Sequence, residues 1–138
     1  MERTGRGCKF AQDVKFLLDS NILIAVALAS GDDVRQRMAS LDEGDVVTSA
    51  VAYAEVVHGS VRGTPPALAH LQALVEEVLV LPFGDMAARA YATLSFRRAS
   101  YDRLIAAHAL SLGLTLVADN QQHFTDVPGL KVEKWLFR

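Results

Sequence analysis

One cysteine, Cys8, is present among 138 residues, so the chain holds no internal disulfide and fits a reducing compartment. Long hydrophobic runs are absent too. The best uninterrupted apolar stretch, Ile22–Ala29, is eight residues long, against the ~18 that a membrane span requires. Excess positive charge is missing: 14 Lys and Arg stand against 16 Asp and Glu, for a net −2. That balance argues against a basic nucleic-acid-binding surface overall and leaves room only for a local basic patch. The opening MERTGRGCKFAQDVKF has basic residues but no charge-free apolar segment, so no secretory signal is expected. Its Gly and Arg content predicts a mobile extension over residues 1–13, followed by one domain over 14–138. No repeat, low-complexity tract or long linker divides the chain, and a cytoplasmic protein is expected.

What is present is apolar mass, 51% of the residues, enough for a sizeable core. Val14–Leu18 reads as a short strand ending in Asp-Ser-Asn, a helix N-cap signal, with a helix from Ile22 to about Ala29 stopped near Gly31. Asp32–Leu41 has helical spacing, with Val34, Met38 and Leu41 on one face. Asp45–Ser49 reads as a second strand, and Ser49 as the cap of a helix over Ala50–Val61. Pro65-Pro66 restarts a helix over 66–78, carrying Leu68, Leu71, Leu74 and Val75 on one side. Val78–Phe83 is a third strand, residues 85–98 and 102–112 are helices, and Gly113 closes the second. Leu114–Ala118 is a fourth strand and Leu130–Glu133 a short edge strand. Apolar strands alternating with helices predict an α/β fold with a parallel sheet covered on both faces, and ligands bind beyond the carboxyl ends of such strands.

Four of the sixteen acids are out of place in this pattern. Asp19 ends the first strand, Glu55 sits in the apolar helix AVAYAEVVHG, Asp102 opens YDRLIAAHAL, and Asp119 follows LTLVA. Right-handed crossovers put successive strand–helix junctions on one rim of the sheet, so all four can converge. Each acid has an ordinary explanation: Asp19 as a helix cap, Glu55 paired to an arginine, Asp102 favoured by a helix dipole, Asp119 in a turn. Together they fit a cation pocket better. Clustered carboxylates repel unless a cation lies among them, and hard oxygen ligands suit Mg²⁺, with Mn²⁺ as substitute. Such a site hydrolyses phosphodiesters with metal-activated water.

Other groups carry less. Glu55-x-x-His58 has di-iron spacing but lacks the second copy that such a site needs. His108, in an Ala-rich helix, reads as a hydrogen-bonded packing residue, and His123 is near the pocket without an assigned role. Arg97, Arg98 and Arg103 flank Asp102 and are the candidate phosphate or partner contacts, with solvated arginines as the alternative.

The segments LLDSNILIAV (17–26), TSAVAYAEVVHG (48–59), YDRLIAAHALSLGLTLVADNQQHF (101–124) and VPGLKVEKW (127–135), in this order, resemble a PIN-domain ribonuclease, specifically the VapC-type toxin of toxin–antitoxin pairs. The resemblance implies a three-layer α/β/α sandwich with a mainly parallel central sheet. It also implies an Mg²⁺- or Mn²⁺-dependent endoribonuclease acting on RNA, a VapB-type antitoxin partner and a homodimer. By the same resemblance Asp19, Glu55 and Asp102 match the metal-binding acids, while Ser20 and Asn21 match the turn that positions the first of them. At the fourth acid the pattern departs: Ala118 replaces a Thr, Asn120 matches an Asn, and His123 stands where an acid is common. Asp119 is carried as the remaining metal-pocket residue.

Two other classes fit less well. An aspartate-nucleophile phosphatase needs a second Asp where Asn21 stands. A non-catalytic module of the receiver type needs a late active-site lysine, and Lys131 and Lys134 lie past the last pocket element. An inactive PIN-like binding module is the remaining alternative.

Overall fold

Strand β1 (Phe16–Leu18) is buried along its whole length, as a strand covered on both faces must be. The computed structural model describes residues 15–28, 32–42, 44–95 and 100–136. The N-terminal extension over 1–13 and the helix stop at Gly31 lie outside the described residues. After β1 come α1 (Ser20–Ala27), α2 (Asp32–Ala39), β2 (Val46–Ser49), α3 (Ala50–Val61), α4 (Leu68–Leu74), β3 (Leu79–Leu81) and α5 (Asp85–Ala92). Then follow α6 (Tyr101–Leu112), β4 (Thr115–Val117), a short 3-10 turn (Gln121–Phe124) and β5 (Val132–Glu133).

The strands form one sheet in the order β3-β2-β1-β4-β5, and every pairing is parallel. Phe16 is in register with Val46 on one side and Thr115 on the other; Leu18 is in register with Thr48 and Val117. The chain therefore builds outward from β1 through β2 to β3, then returns to add β4 and β5 on the other side. The gap between the ends of β1 and β4 is the point where the strand order reverses, and α/β sheets bind ligands there.

Local chemistry sets the helix ends that frame this gap. Ser49 caps α3, its Oγ accepting from Val51 N at 3.1 Å, and Ser100 caps α6 by accepting from Arg103 N at 3.3 Å. Gly113 ends α6 in the left-handed region at φ 68°, where a side chain would be strained. The core joins Leu17, Leu18, Ile22 and Leu23 to Ile105, Leu116 and Val117, all fully buried.

Several elements are shorter than the sequence pattern predicts. Helix α4 starts at Leu68 instead of Pro66, because Ala67 is extended and the Pro66 carbonyl accepts from the Ser60 hydroxyl at 2.6 Å. It ends at Leu74, where the N–H of Val75 turns back onto Leu71 and Ala73. Helix α5 stops at Ala92 rather than running to 98. The Thr93 hydroxyl donates to Ala90 O at 2.7 Å, satisfying a last-turn carbonyl from a side chain. Asp45, which reads as the first residue of the second strand, instead lies just ahead of β2, is 2% exposed and holds a turn by accepting from Asp42 N at 3.1 Å. It precedes β2, so it sits on the rim opposite the strand ends.

Candidate metal and active site

The site is built on the end of β1. Thr48 Oγ1 donates to the Leu18 carbonyl at 2.8 Å, and Asp19 N–H donates to Val117 O of β4 at 3.0 Å. These two bonds fix the backbone of Asp19 at the strand-order reversal. Its Oδ1 accepts from Ile22 N at 3.0 Å, so Asp19 is the N-cap of α1. Capping alone would pull its carboxyl down. Instead the carboxyl is pushed up to about 7, by burial first and then by the charges of Asp102, Asp119 and Glu55, against the lowering effect of the Ile22 bond. The cap describes the geometry, and burial, reinforced by the neighbouring like charges, decides the energetics. The other three acids singled out in the sequence therefore all act on Asp19 at this rim.

Glu55 reaches the rim from the second turn of α3. The Ser20 hydroxyl, in the first turn of α1, donates to it, yet burial and the neighbouring Asp102 push its carboxyl up as well. Its Oε1 is buried and has no hydrogen-bond partner among the described residues. Asp102 lies in the first turn of α6, which Ser100 caps, so capping is not its role. Its Oδ2 is 3.2 Å from His123 Nδ1, and His123 Nε2 is 3.0 Å from Asn120 Nδ2. Asp119, half-buried, follows the end of β4.

The donor set suits a divalent cation. A buried Glu55 oxygen with no partner, near an Asp19 raised by burial and by the neighbouring acids, is a place where a cation removes two costs at once. Among the described residues, no three Asp, Glu, His or Cys side chains stand close enough together to enclose an ion directly. Mg²⁺ keeps several of its waters and takes one or two carboxylates directly, so an open acidic rim suits it and a closed cage is not required.

Residues 16–130 match the PIN domain family. The tRNA(fMet)-specific endonuclease VapC of Shigella flexneri is 31% identical over 131 residues, covering 88% of this chain and 98% of that protein. The chain is a PIN domain of the VapC family. A chain of the DNA-bound VapBC complex from Salmonella typhimurium superposes with a TM-score of 0.75 at 27% identity, over 88% of this chain and 98% of that one. The fold also matches a chain of VapBC2 from Rickettsia felis, TM-score 0.79 at 22% identity, over 87% and 98%.

In this PIN domain the remaining groups divide clearly. Arg103 is bound to Asp126 through both guanidinium nitrogens, at 2.6 and 3.0 Å, and holds the Asp126 carboxyl below its usual range. Arg97 and Arg98 lie outside the described residues. Asn21 is exposed in the first turn of α1. His58 is exposed near the end of α3 and belongs to no metal-holding group among the described residues. His108 is 2% exposed, with Nδ1 2.8 Å from Ser49 Oγ and its ring edge-on to Phe83, and burial lowers its pKa. It is the hydrogen-bonded packing residue that the sequence suggests. A cavity of about 540 Å³ lined by Val26, Arg35, Met38, Val46 and His70 lies toward the amino ends of the strands and includes none of the four acids. Sequence reasoning gave His123 no role, and the only signal was its place in the family pattern.

Proposed function

We propose that this chain is a divalent-metal-dependent endoribonuclease, the toxin of a toxin–antitoxin pair. The observation that carries the reading is the convergence of Glu55, Asp102 and Asp119 on Asp19, whose carboxyl they and burial raise to about 7. In this reading Asp19, Glu55, Asp102 and Asp119 hold Mg²⁺, or Mn²⁺ in its place, and share the catalytic work. When bound, the metal supplies an activated water and neutralises charge on the oxygens of the scissile phosphodiester. The chain's own residues supply the frame. Asp19 is locked by its cap and by Val117, Ser20 steadies Glu55, and Asn120 anchors the turn beyond β4. The VapC relatives are named as nucleases, two of them specific for tRNA(fMet), and this supports an RNA substrate.

The same acidity gives an inhibitor a means of attachment. A guanidinium placed among these carboxylates gains charge-assisted, bidentate hydrogen bonds. That chemistry, and the VapBC complexes among similar structures, support a VapB-type antitoxin with an arginine-bearing segment. A homodimer in the cytoplasm belongs to the same reading. No helix among the described residues is long and apolar enough to cross a membrane.

The direct test is cleavage of total RNA by the purified chain. Mn²⁺ or Mg²⁺ is expected to support cleavage and a chelator to suppress it by ~100-fold or more, the scale of lost electrostatic stabilisation. Cleavage undiminished in chelator refutes the metal dependence; none under either condition, including with tRNA, refutes the nuclease. A smaller effect is expected at the second turn of α3. Ser20→Ala removes the donor that holds Glu55, and Mn²⁺ affinity measured by calorimetry should drop by roughly tenfold with little change in melting temperature. An unchanged affinity means that the bond does not position Glu55.

A further inference from the structure

His123 does not extend the acidic cluster; it contacts it as a hydrogen-bond donor. Its Nδ1 lies 3.2 Å from Asp102 Oδ2, and its Nε2 lies 3.0 Å from the amide nitrogen of Asn120. These two partners fix the tautomer. An ionised carboxylate only accepts, so the proton is on Nδ1; an amide nitrogen only donates, so Nε2 offers its lone pair. With its proton on Nδ1 the ring satisfies both contacts.

The ring is also held in place. His123 N–H donates to Asn120 O at 3.2 Å, Phe124 beside it is 3% exposed in the core, and Gln121 ties the 3-10 turn to Val132 O at 3.3 Å. The side chain itself is 56% exposed, so its position is set by these contacts and not by burial.

We infer that His123 is a positioning residue for Asp102, donating from Nδ1 to Oδ2 so that the carboxylate is oriented before a cation arrives. Both ring nitrogens are already engaged, so the imidazole is an outer-shell donor and not a ligand. Hydrogen-bonded outer partners of this kind orient ligating carboxylates and tune metal affinity. The chemistry also suits the crowding at this rim. A carboxylate at position 123 would add another negative charge beside Asp102, whose own charge already raises Asp19 and Glu55, whereas an imidazole donating from Nδ1 adds a hydrogen bond.

This inference rests on the reading of Asp102 as a metal ligand, and the experiment separates the two. Mn²⁺ binding to the full chain is measured by calorimetry for the parent, His123→Ala and His123→Gln, with pulsed EPR of the bound Mn²⁺. His123→Ala should weaken binding by roughly 10–100-fold, the range for lost outer-shell partners, and His123→Gln, which keeps an N–H donor of similar reach, should recover most of it. The parent's EPR should show no directly bonded nitrogen. Equal affinity for His123→Ala and the parent overturns the inference, as does a glutamine variant no better than alanine. A directly bonded histidine nitrogen overturns it in favour of ligation. If the parent binds no Mn²⁺, the metal reading itself fails and takes this inference with it.

Discussion

Asp19→Asn should reduce metal-dependent RNA cleavage by at least ~100-fold, with the fold intact. The substitution is nearly isosteric, and asparagine caps a helix as well as aspartate, so the bond from Ile22 N survives. What disappears is the negative charge at the end of β1, where the sheet order reverses. Were Asp19 only a cap, cleavage would be untouched, and a gel assay at saturating Mn²⁺ distinguishes the outcomes. A variant that cuts RNA at the parent's rate refutes the site assignment.

The second large effect is on stability without metal, and its sign is opposite to that of a salt-bridged acid. Below about pH 4 Asp19 is protonated in both the folded and the unfolded chain and contributes nothing. Between about pH 4 and 7 the unfolded chain has released its proton while the folded chain retains it, so stability falls as pH rises. Above about pH 7 the loss is complete. The gap between 3.8 and about 7 corresponds to roughly 4 kcal/mol, on the order of 10 °C in melting temperature. Glu55, raised chiefly by burial, adds in the same direction. The metal-free parent should therefore be more stable at pH 5 than at pH 8 by denaturant unfolding, and Asp19→Asn should remove most of that difference by gaining stability at pH 8. Mn²⁺ should restore the parent at pH 8, because it binds only the folded chain. A metal-free parent equally stable at both pH values would mean that Asp19 is not held as crowded as its surroundings imply.

These effects trace back to features the sequence displays unevenly. Asp19 and Asp119 were legible because apolar runs ending in an acid mark the carboxyl ends of parallel strands. Glu55 was legible as a charge in an otherwise apolar helix. The α/β architecture followed from strand–helix alternation, and the all-parallel order is what the crossover rule favours. Contacts across long separations were not legible. Nothing local joins Asp102 to His123 or Arg103 to Asp126, since these pairs meet only after the chain has crossed the sheet. Asp45 was missed for a related reason. It reads only as the first residue of a strand, and its burial depends on Lys15 and β1 approaching from another part of the chain. The end of α5 was overestimated because apolar spacing continues past Thr93, while its hydroxyl offers the backbone a competing partner.

The bond from Asp19 N–H to Val117 O also has a temporal consequence during synthesis. The central strand carries the first acid, but one of its neighbours, β4, comes near the end of the chain, after β2 and β3 have already paired. Such far-separated pairings form late, because the intervening loop must close before any contact rewards it. A nascent chain emerging from the ribosome can thus display Asp19 and Glu55 without Asp102, Asp119 or the strand that locks them together. On the proposed assignment, the four acids come together only when the last fifth or so of the chain has been made and docked.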